Sequence, residues 1–331
     1  MVKIGNIALG DFPLLLAPME DVSDPPFRVL CRENGADMVY TEFISSEGLI
    51  RGAGKSVQKL DIYEEERPVG IQIFGDKIES MREAARIAEQ AEPELIDINY
   101  GCPVKNVACR GAGAALLQDL PKMQAMTKEI IDTVKLPVTV KTRLGWDVNT
   151  INVIEAIMRL QDTGVQAVTI HARTRVQMYK GEADWTWLKR IKEDKNIFIP
   201  VFGNGDIDSP EKALKMKEYS GVDGIMIGRA AIGYPWIFRE IKHFLRTSTH
   251  FTPPVLEERV NACRRHLQKS IEWKGEKLGI LEMRKHYGNY FKGLPFMKEY
   301  RMRLVQSMDP AELFAVLDEV KESVLTLTLN T

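Results

Sequence analysis

Eight short runs rich in β-branched and other apolar residues recur along the first three quarters of the chain, and helix-type segments separate them. Residues 14–17 and 225–227 are apolar throughout, which is typical of parallel strands buried on both faces. Residues 77–91 and 151–160 have helical spacing. Eight strand and helix pairs within about 240 residues predict an α/β fold, a (β/α)8 TIM barrel. The predicted strands span residues 14–19, 37–43, 69–74, 95–99, 138–143, 167–171, 199–203 and 224–228.

A doubly wound open sheet has the same alternation of strands and helices, so the periodicity alone does not exclude it. Polar or glycine-containing clusters, however, follow most of the predicted strands. A barrel brings the carboxyl ends of all its strands to one rim, whereas an open sheet spreads them along a line. The barrel therefore gives these clusters a common site. They are residues 17–20, 41–42, 72, 99–103, 141–143, 171–175, 204–206 and 228–229.

The chain changes character after the last predicted barrel helix. Residues 251–254, Phe-Thr-Pro-Pro, interrupt the pattern, and no strand signal follows them. One apolar stripe at helical spacing runs from Val260 to Ile271, and another from Met283 to Tyr290. We therefore predict a barrel domain over residues 1–250 and a small C-terminal all-helical domain over residues 255–331.

The composition excludes several classes of protein. The chain has 331 residues, 44% of them apolar, and 45 Lys plus Arg against 46 Asp plus Glu, which allows a large core and argues against disorder. Four cysteines without paired spacing argue against a disulfide framework and a zinc site. No apolar run reaches the roughly 18 residues that span a bilayer. We expect a soluble, cytoplasmic, monomeric protein that binds no metal and no membrane.

Two glycine-containing segments, residues 202–206 and 227–230, follow the last two predicted strands. Barrels commonly hold a phosphate at these loops, because glycine lets backbone N–H groups approach the anion. Arg229 would add a permanently charged guanidinium. The alternative is that these glycines only make tight turns.

Gln72, Lys141 and His171 end the third, fifth and sixth predicted strands. A lone Lys or His at a strand end is more often a structural group, but three donors around one rim can hold a heterocycle. A cation stabilises the anionic form of an electron-rich ring, and a glutamine amide can bond both edges of a ring, so we predict a flavin here.

Cys102 begins an unusually long connection after the fourth predicted strand. A thiol with an ordinary pKa of about 8.5 is protonated at neutral pH and can donate a proton. The alternatives are a nucleophile, for which no triad spacing with a histidine is visible, and an inert core thiol. We predict an acid at Cys102 and interpret Cys31, Cys109 and Cys263 as inert.

Eight short motifs follow one another in a fixed order along the chain. They are Ala-Pro-Met at 17–19, Asp-Pro-Pro-Phe-Arg at 24–28, Asp-Ile-Asn-Tyr-Gly-Cys-Pro at 97–103, Lys-Thr-Arg at 141–143, His-Ala-Arg-Thr-Arg at 171–175, Asn-Gly-Asp-Ile at 204–207, Ile-Gly-Arg-Ala at 227–230 and Pro-Trp-Ile-Phe-Arg at 235–239. Together they resemble the tRNA-dihydrouridine synthase family, closest to its bacterial B-type branch. The resemblance covers essentially the whole chain. One departure is Asp21, which stands where many members of the family have glycine.

The resemblance implies an enzyme that reduces the C5=C6 bond of specific tRNA uridines, with FMN as cofactor, NADPH as reductant and tRNA as partner. It implies that Cys102 is the proton donor and that Asn99, Arg143 and Arg175 contact the substrate. The residues that it assigns to the flavin are Pro18, Met19, Glu20, Gln72, Lys141, His171, Asn204, Gly205, Asp206, Gly228 and Arg229.

The net charge of −1 would by itself argue against a nucleic-acid partner. Residues 259–303, however, carry 12 Lys plus Arg and four acidic residues, interleaved with aromatic side chains. This surplus of eight positive charges leaves about −9 on the remainder of the chain. We predict that this segment, including Arg284 and Lys285, binds tRNA phosphates; the alternative is an ordinary solvated helical face.

Two other functions share parts of this pattern. A flavin oxidoreductase of a free pyrimidine, in the manner of the dihydroorotate dehydrogenases, would use the barrel and the flavin but has no use for a basic tail. A non-catalytic RNA-binding protein would use the barrel as a scaffold, and it would have no need to keep Cys102, Lys141, His171 and Arg229 together.

Overall fold

The computed structural model describes residues 1–104, 111–294 and 297–329, with side chains to residue 322. Cys109 lies outside the described residues. The strands are β1 (Val2–Ile4), β2 (Ile7–Gly10), β3 (Leu14–Leu16), β4 (Val39–Tyr40), β5 (Ile44–Ser45), β6 (Val69–Phe74), β7 (Leu95–Tyr100), β8 (Val138–Arg143), β9 (Ala167–His171), β10 (Val201–Asn204) and β11 (Gly224–Ile227).

Eight of these strands form a closed parallel barrel. Their order around the ring is β3-β11-β10-β9-β8-β7-β6-β4. The backbone N–H of Leu16 donates to the carbonyl of Met38 at 2.9 Å, and that of Asp37 donates to the carbonyl of Leu14 at 2.7 Å, which joins β3 to the start of β4. The predicted (β/α)8 barrel is confirmed, and the open sheet is excluded, because an open sheet leaves two unpaired edges.

The interior of the barrel is filled by side chains from alternate strand positions. Leu15, Met38, Tyr40, Phe202 and Met226 belong to one buried cluster there. The antiparallel hairpin of β1 and β2, which the sequence analysis did not predict, adds the fully buried Ile4 and the nearly buried Leu9 to the same cluster. The hairpin therefore covers the amino-terminal end of the barrel and leaves the carboxyl end for a ligand.

Helices alternate with the barrel strands and continue beyond them. Those that accompany the barrel are α1 (Pro25–Glu33), α2 (Ser46–Ile50), α3 (Gly54–Gln58), α4 (Ile78–Glu89), α5 (Leu120–Thr133), α6 (Val153–Thr163), α7 (Thr186–Glu193), α8 (Pro210–Ser220) and α9 (Ile237–Thr247). The predicted helices at 77–91 and 151–160 correspond to α4 and α6. No helix among the described residues is long and apolar enough to cross a membrane.

Four further helices form the C-terminal part of the chain: α10 (Leu256–Lys274), α11 (Glu276–Tyr290), α12 (Met297–Gln306) and α13 (Pro310–Leu329). They surround a second core, in which the predicted stripes contribute Val260, Leu267, Met283 and Tyr287. Trp236, which precedes α9, is also buried in this core. The C-terminal helical region is therefore present, and its core extends into the last barrel connection.

Candidate active site

A cavity of about 1130 Å³ opens at the carboxyl ends of the barrel strands. Its wall also includes residues of the helical region, namely Arg259, Asn289 and Lys292. Thirteen of the predicted site residues line it, so six of the eight strand-end clusters meet at this cavity, while those at 41–42 and 72 do not line it. The thirteen lining residues are Pro18, Met19, Glu20, Asn99, Cys102, Lys141, Arg143, His171, Asn204, Gly205, Asp206, Gly228 and Arg229.

Cys102 is held by a tight turn directly after β7. The side-chain oxygen Oδ1 of Asn99 accepts the backbone N–H groups of Gly101 and Cys102, each at 2.9 Å. The Cys102 side chain is almost completely buried, and burial raises the pKa of its thiol, against the opposing effects of the Val104 N–H and of Arg143. The thiol is therefore protonated at neutral pH and can serve as a proton donor.

Lys141 and His171 face the same cavity in different charge states. Burial and the neighbouring Arg143 lower the pKa of Lys141 to about 8, so that it is mostly cationic at neutral pH. Burial and the surrounding cations Arg143 and Lys141 lower the pKa of His171 well below its usual value. His171 is therefore a neutral imidazole, which can donate one hydrogen bond and accept another.

Arg143 braces the loops that surround the cavity. Its guanidinium is buried and donates to three backbone carbonyls, those of Gly101 at 2.7 Å, Thr174 at 3.1 Å and Met178 at 2.9 Å. These bonds connect the Cys102 turn to the loop that follows β9. Arg143 thus fixes the shape of the cavity wall as well as adding positive charge to it.

The loop after β10 carries a carboxylate that holds two arginines. Both carboxylate oxygens of Asp206 accept from Nη2 of Arg173, Oδ1 at 2.8 Å and Oδ2 at 2.7 Å, and Oδ1 also accepts from Arg229 at 3.1 Å. Although burial works in the other direction, the Arg173 guanidinium keeps the pKa of Asp206 below its usual value. In the chain itself, Asp206 therefore orients the guanidinium groups at this end of the cavity.

Four of the predicted site residues do not line the cavity. Gln72 is fully buried, and its amide is bonded to Asp97 and Asn99. Arg175 stacks on Trp146, with 4.6 Å between the guanidinium carbon and the ring centroid. Arg284 lies 3.5 Å from the backbone carbonyls of Gln306 and Ser307, and Lys285 pairs with Asp21 at 2.9 Å.

Tyr179 lines the cavity although the sequence analysis did not single it out. Its ring centroid lies 5.7 Å from the guanidinium carbon of Arg143 and 5.5 Å from that of Arg229. A single tyrosine in the polar loop after β9 was the available signal, but the loop could be placed over the cavity only from the structure.

The donor set of the cavity fits a flavin mononucleotide. Lys141 and Arg229 are cations, and His171 is a neutral hydrogen-bonding ring, which suits a polar heterocycle with a phosphate. Gly228 lines the cavity, and a Cβ there would make ordinary van der Waals contact with Ala17 and Met19 at 3.5 Å. The cavity also has the size of a site for a cofactor together with a second ligand.

The fold and the cavity define a (β/α)8-barrel protein with a ligand site at the carboxyl ends of its strands. Histamine dehydrogenase from Rhizobium sp. 4-9 aligns with a TM-score of 0.57 over 73% of this chain and 47% of that one, at 16% identity. The 6-hydroxypseudooxynicotine amine oxidase of Pseudomonas geniculata N1 aligns with a TM-score of 0.58 over 82% and 51%, at 13% identity. The chain spans about half the length of these two structures, and the likeness concerns the fold alone.

Sequence comparison identifies the family. A model of the dihydrouridine synthase (Dus) family matches residues 15–326. The chain is 41% identical over 309 residues to tRNA-dihydrouridine synthase B of Pseudomonas aeruginosa, covering 93% of this chain and 92% of that one. It is 37% identical over 326 residues to a probable tRNA-dihydrouridine synthase of Rickettsia conorii, covering 98% of each. This protein belongs to the dihydrouridine synthase family.

Proposed function

We propose that this protein is a tRNA-dihydrouridine synthase, an FMN-dependent oxidoreductase that reduces the C5=C6 bond of uridine in tRNA. The observation that carries the proposal is a protonated, buried thiol on the wall of a cavity that also holds Lys141 and His171, in a member of the dihydrouridine synthase family. Neither of the two other functions suggested by the sequence explains both the thiol and the basic segment 259–303.

The chemistry of uracil requires a hydride on one carbon and a proton on the next. The C5=C6 bond is conjugated to the C4 carbonyl, so addition of hydride at C6 makes C5 basic. When bound, FMN would supply this hydride, and NADPH is the reductant that would return the flavin to its reduced form. Cys102 donates the proton to C5, and its raised pKa favours the protonated thiol that this role requires.

The residues of the cavity divide into three groups in this proposal. Lys141, His171 and Asn204 would hydrogen-bond the flavin ring, and Pro18, Met19 and Glu20 would lie against it. Oδ1 of Asn204 lies 3.3 Å from Nζ of Lys141. Gly205, Gly228 and Arg229 hold the phosphate, and Asp206 orients Arg229. Asn99 and Arg143, with the Cys102 turn between them, contact the uracil.

The substrate must leave its stacked position to reach this cavity. Extruding a base from folded RNA costs a few kcal/mol, which contacts with the remainder of the RNA must offset. The helical region contributes Arg259 and Lys292 to the cavity wall, which supports a role in holding the RNA phosphates. Residues 255–331 are therefore proposed as the tRNA-binding domain and residues 1–250 as the catalytic domain.

Replacement of Cys102 by alanine tests the proposal. The Cys102→Ala variant should reduce tRNA uridine at least about 100-fold more slowly, because general acids contribute roughly that much. Its flavin should still be reduced by NADPH at close to the wild-type rate. The two half-reactions are followed by flavin absorbance in a stopped-flow instrument, and the product by mass spectrometry of the tRNA. Equal loss of both half-reactions would contradict the role of Cys102 as the acid. A wild-type protein that makes no dihydrouridine in tRNA would contradict the proposed function.

A further inference from the structure

A continuous chain of buried hydrogen bonds runs beneath the cavity and ends at Cys102. The hydroxyl of Thr139 donates to Asp97 Oδ1 at 2.5 Å, and Gln72 Nε2 donates to Asp97 Oδ2 at 2.6 Å. Asn99 Nδ2 donates to Gln72 Oε1 at 2.9 Å. Asn99 Oδ1 then accepts the N–H groups of Gly101 and Cys102. The four side chains come from three adjacent strands, β6, β7 and β8.

Each of the four side chains in this hydrogen-bond series is at least nine-tenths buried. Asp97 is 2% exposed, Thr139 3% and Asn99 6%, and Gln72 is completely buried. Water therefore does not compete for the bonds, and a reversed amide would leave buried polar atoms unpaired. The register of the barrel places the members side by side, since Gln72 pairs with Asp97 and Asp97 pairs with Thr139 between neighbouring strands.

The hydrogen bonds of this series run in one direction, which is determined by the groups at its two ends, Asp97 and the Cys102 turn. An ionised Asp97 can only accept hydrogen bonds, so the amide of Gln72 must present its NH₂ group to it and its oxygen to Asn99. Asn99 must then present its NH₂ group to Gln72 and its oxygen to the Cys102 turn. Although Gln72, Thr139 and Lys141 oppose the effect, burial raises the pKa of Asp97 to about 6, which still leaves it ionised at pH 7.5.

We infer that Asp97, together with Thr139, is a positioning residue that sets the direction of this chain and thereby places the Cys102 thiol. The inference rests on the proposed function for the role of Cys102 as acid. Neither Asp97 nor Thr139 lines the cavity or is bonded to Cys102, so their hydrogen bonds reach the Cys102 turn through Gln72 and Asn99. Arg143 donates to the Gly101 carbonyl of the same turn at 2.7 Å. A rotated Asn99 would therefore release the N–H groups of Gly101 and Cys102, while the Gly101 carbonyl stays bonded.

A double-mutant cycle separates direction from packing and charge. In Asp97→Asn the new amide can keep its oxygen towards Gln72 and donate its NH₂ group to the Thr139 hydroxyl, which turns to accept. In Thr139→Val the carboxylate of Asp97 is still an obligate acceptor. In the double variant the same orientation leaves the buried NH₂ group of the new amide without the Thr139 acceptor, which favours a reversal that turns Gln72 and Asn99 with it. Removal of the Asp97 charge near Lys141 affects the rate equally whether or not Thr139 is present, so this effect cancels in the double-mutant cycle.

The cycle is measured as the rate of tRNA uridine reduction by the pre-reduced protein at pH 7.5. We expect each single variant to lose a few-fold in rate and the double variant to lose at least about tenfold more than the product of the two single losses. The Asp97→Asn/Thr139→Ser variant restores a hydroxyl and should recover the rate of Asp97→Asn alone. If the losses of the single variants simply multiply in the double variant, the inference is overturned. Thr139→Ala replaces Thr139→Val if the valine variant does not fold.

The alkylation of Cys102 by iodoacetamide gives a second readout that needs no turnover. Its rate is followed on the tryptic peptide 87–105, which contains Cys102 and none of the other three cysteines. We expect near wild-type rates in both single variants and a change of at least about threefold in the double variant. Equal rates in all four proteins would overturn the inference even if the wild type reduces uridine. A wild type that does not reduce uridine would remove the proposed function, while the alkylation cycle would still decide whether Asp97 places the thiol.

Discussion

At the scale of single residues, two lysines near the cavity have opposite electrostatic surroundings. Lys141 is largely buried with no carboxylate bonded to it, and its pKa falls to about 8. Lys59 is also mostly buried, but it pairs with Glu20 at 2.6 Å and with Glu42 at 3.1 Å, and these carboxylates raise its pKa in spite of the burial. One cation is available to a ligand, and the other is already neutralised by the protein.

Replacement of Lys141 by methionine should therefore stabilise the flavin-free protein. The pKa of Lys141 is lower in the folded chain than the 10.5 of the unfolded chain, so the folded state carries the cost of a buried cation at pH 7. That cost shrinks as the pH rises from about 8 to 10.5. We expect Lys141→Met to gain about 1 to 3 kcal/mol at pH 7, measured by urea unfolding, and to bind FMN more weakly.

Lys59→Met is the matched control for that experiment. It also removes a mostly buried cation, but it leaves Glu20 and Glu42 without their bonded partner, so the free energy of unfolding should fall. The stabilisation in Lys141→Met should fade between pH 8 and 10.5. If burial alone decided the outcome, the free energy of unfolding would change in the same direction in both variants. A Lys141→Met protein that is less stable than wild type at pH 7 would contradict the electrostatic account.

The sequence predicted the members of the site better than their roles. Side chains at the carboxyl ends of parallel strands must meet at one rim, which is why Lys141, His171 and Arg229 were found from strand positions alone. Gln72 was predicted to bond the flavin, and that role stays a prediction; the sequence did not show that its amide bonds Asp97 and Asn99. Hydrogen bonds between side chains depend on the register of neighbouring strands, which the sequence of a single strand does not contain.

At the scale of secondary-structure elements, the strands were predicted well because they are buried on both faces and therefore apolar throughout. The β1–β2 hairpin was missed, since its strands are only three and four residues long. In the first loop of the barrel, Asp21 adopts φ +53°, in the left-handed region that favours glycine. The ion pair between Asp21 and Lys285 offers a partner that a glycine could not have.

The junction between the barrel and the helical region contains a buried cation at the end of α10. Lys274 is 7% exposed and lies 3.2 Å from Asp24, 3.6 Å from Glu42 and in contact with Glu282. Asp24 is also the N-cap of α1, where it accepts the backbone N–H of Phe27 at 2.9 Å. Removal of residues 255–331 would therefore leave two buried carboxylates of the barrel without this cation.

Replacement of Lys274 by methionine should destabilise the whole chain. Breaking a buried ion pair leaves an uncompensated charge, and the free energy of unfolding should fall by about 3 to 5 kcal/mol. Urea unfolding measures this change, with Lys277→Met as the control, because Lys277 is exposed and has no ion pair within the described residues. Equal stability of the two variants would show that the junction does not depend on Lys274, and a truncated barrel could then be expected to fold.

At the scale of the whole molecule, the net charge of −1 conceals a basic segment, residues 259–303, in an otherwise acidic chain. Many cations of that region are nevertheless occupied within the protein. Arg264 pairs with Asp318 at 2.7 Å, Arg303 pairs with Glu319, and Lys274 is buried. The cations of the segment that are exposed and without an ion pair among the described residues are Lys277, Lys292, Lys298 and Arg301. Charge counted along the sequence thus overstates the charge available to RNA.

The salt dependence of tRNA binding should follow these free cations and not the total charge. Each phosphate contact releases counterions, so the slope of log K against log salt should become shallower by about 1 for each contact removed. We expect Lys298→Ala/Arg301→Ala to reduce the slope by about 2 in filter-binding titrations between roughly 50 and 200 mM salt. Arg264→Ala is the control, because it removes a cation that is already paired and leaves Asp318 without this partner. If Arg264→Ala changed the slope as much as one of the exposed cations, the attraction would come from the summed field of the helical region rather than from direct phosphate contacts.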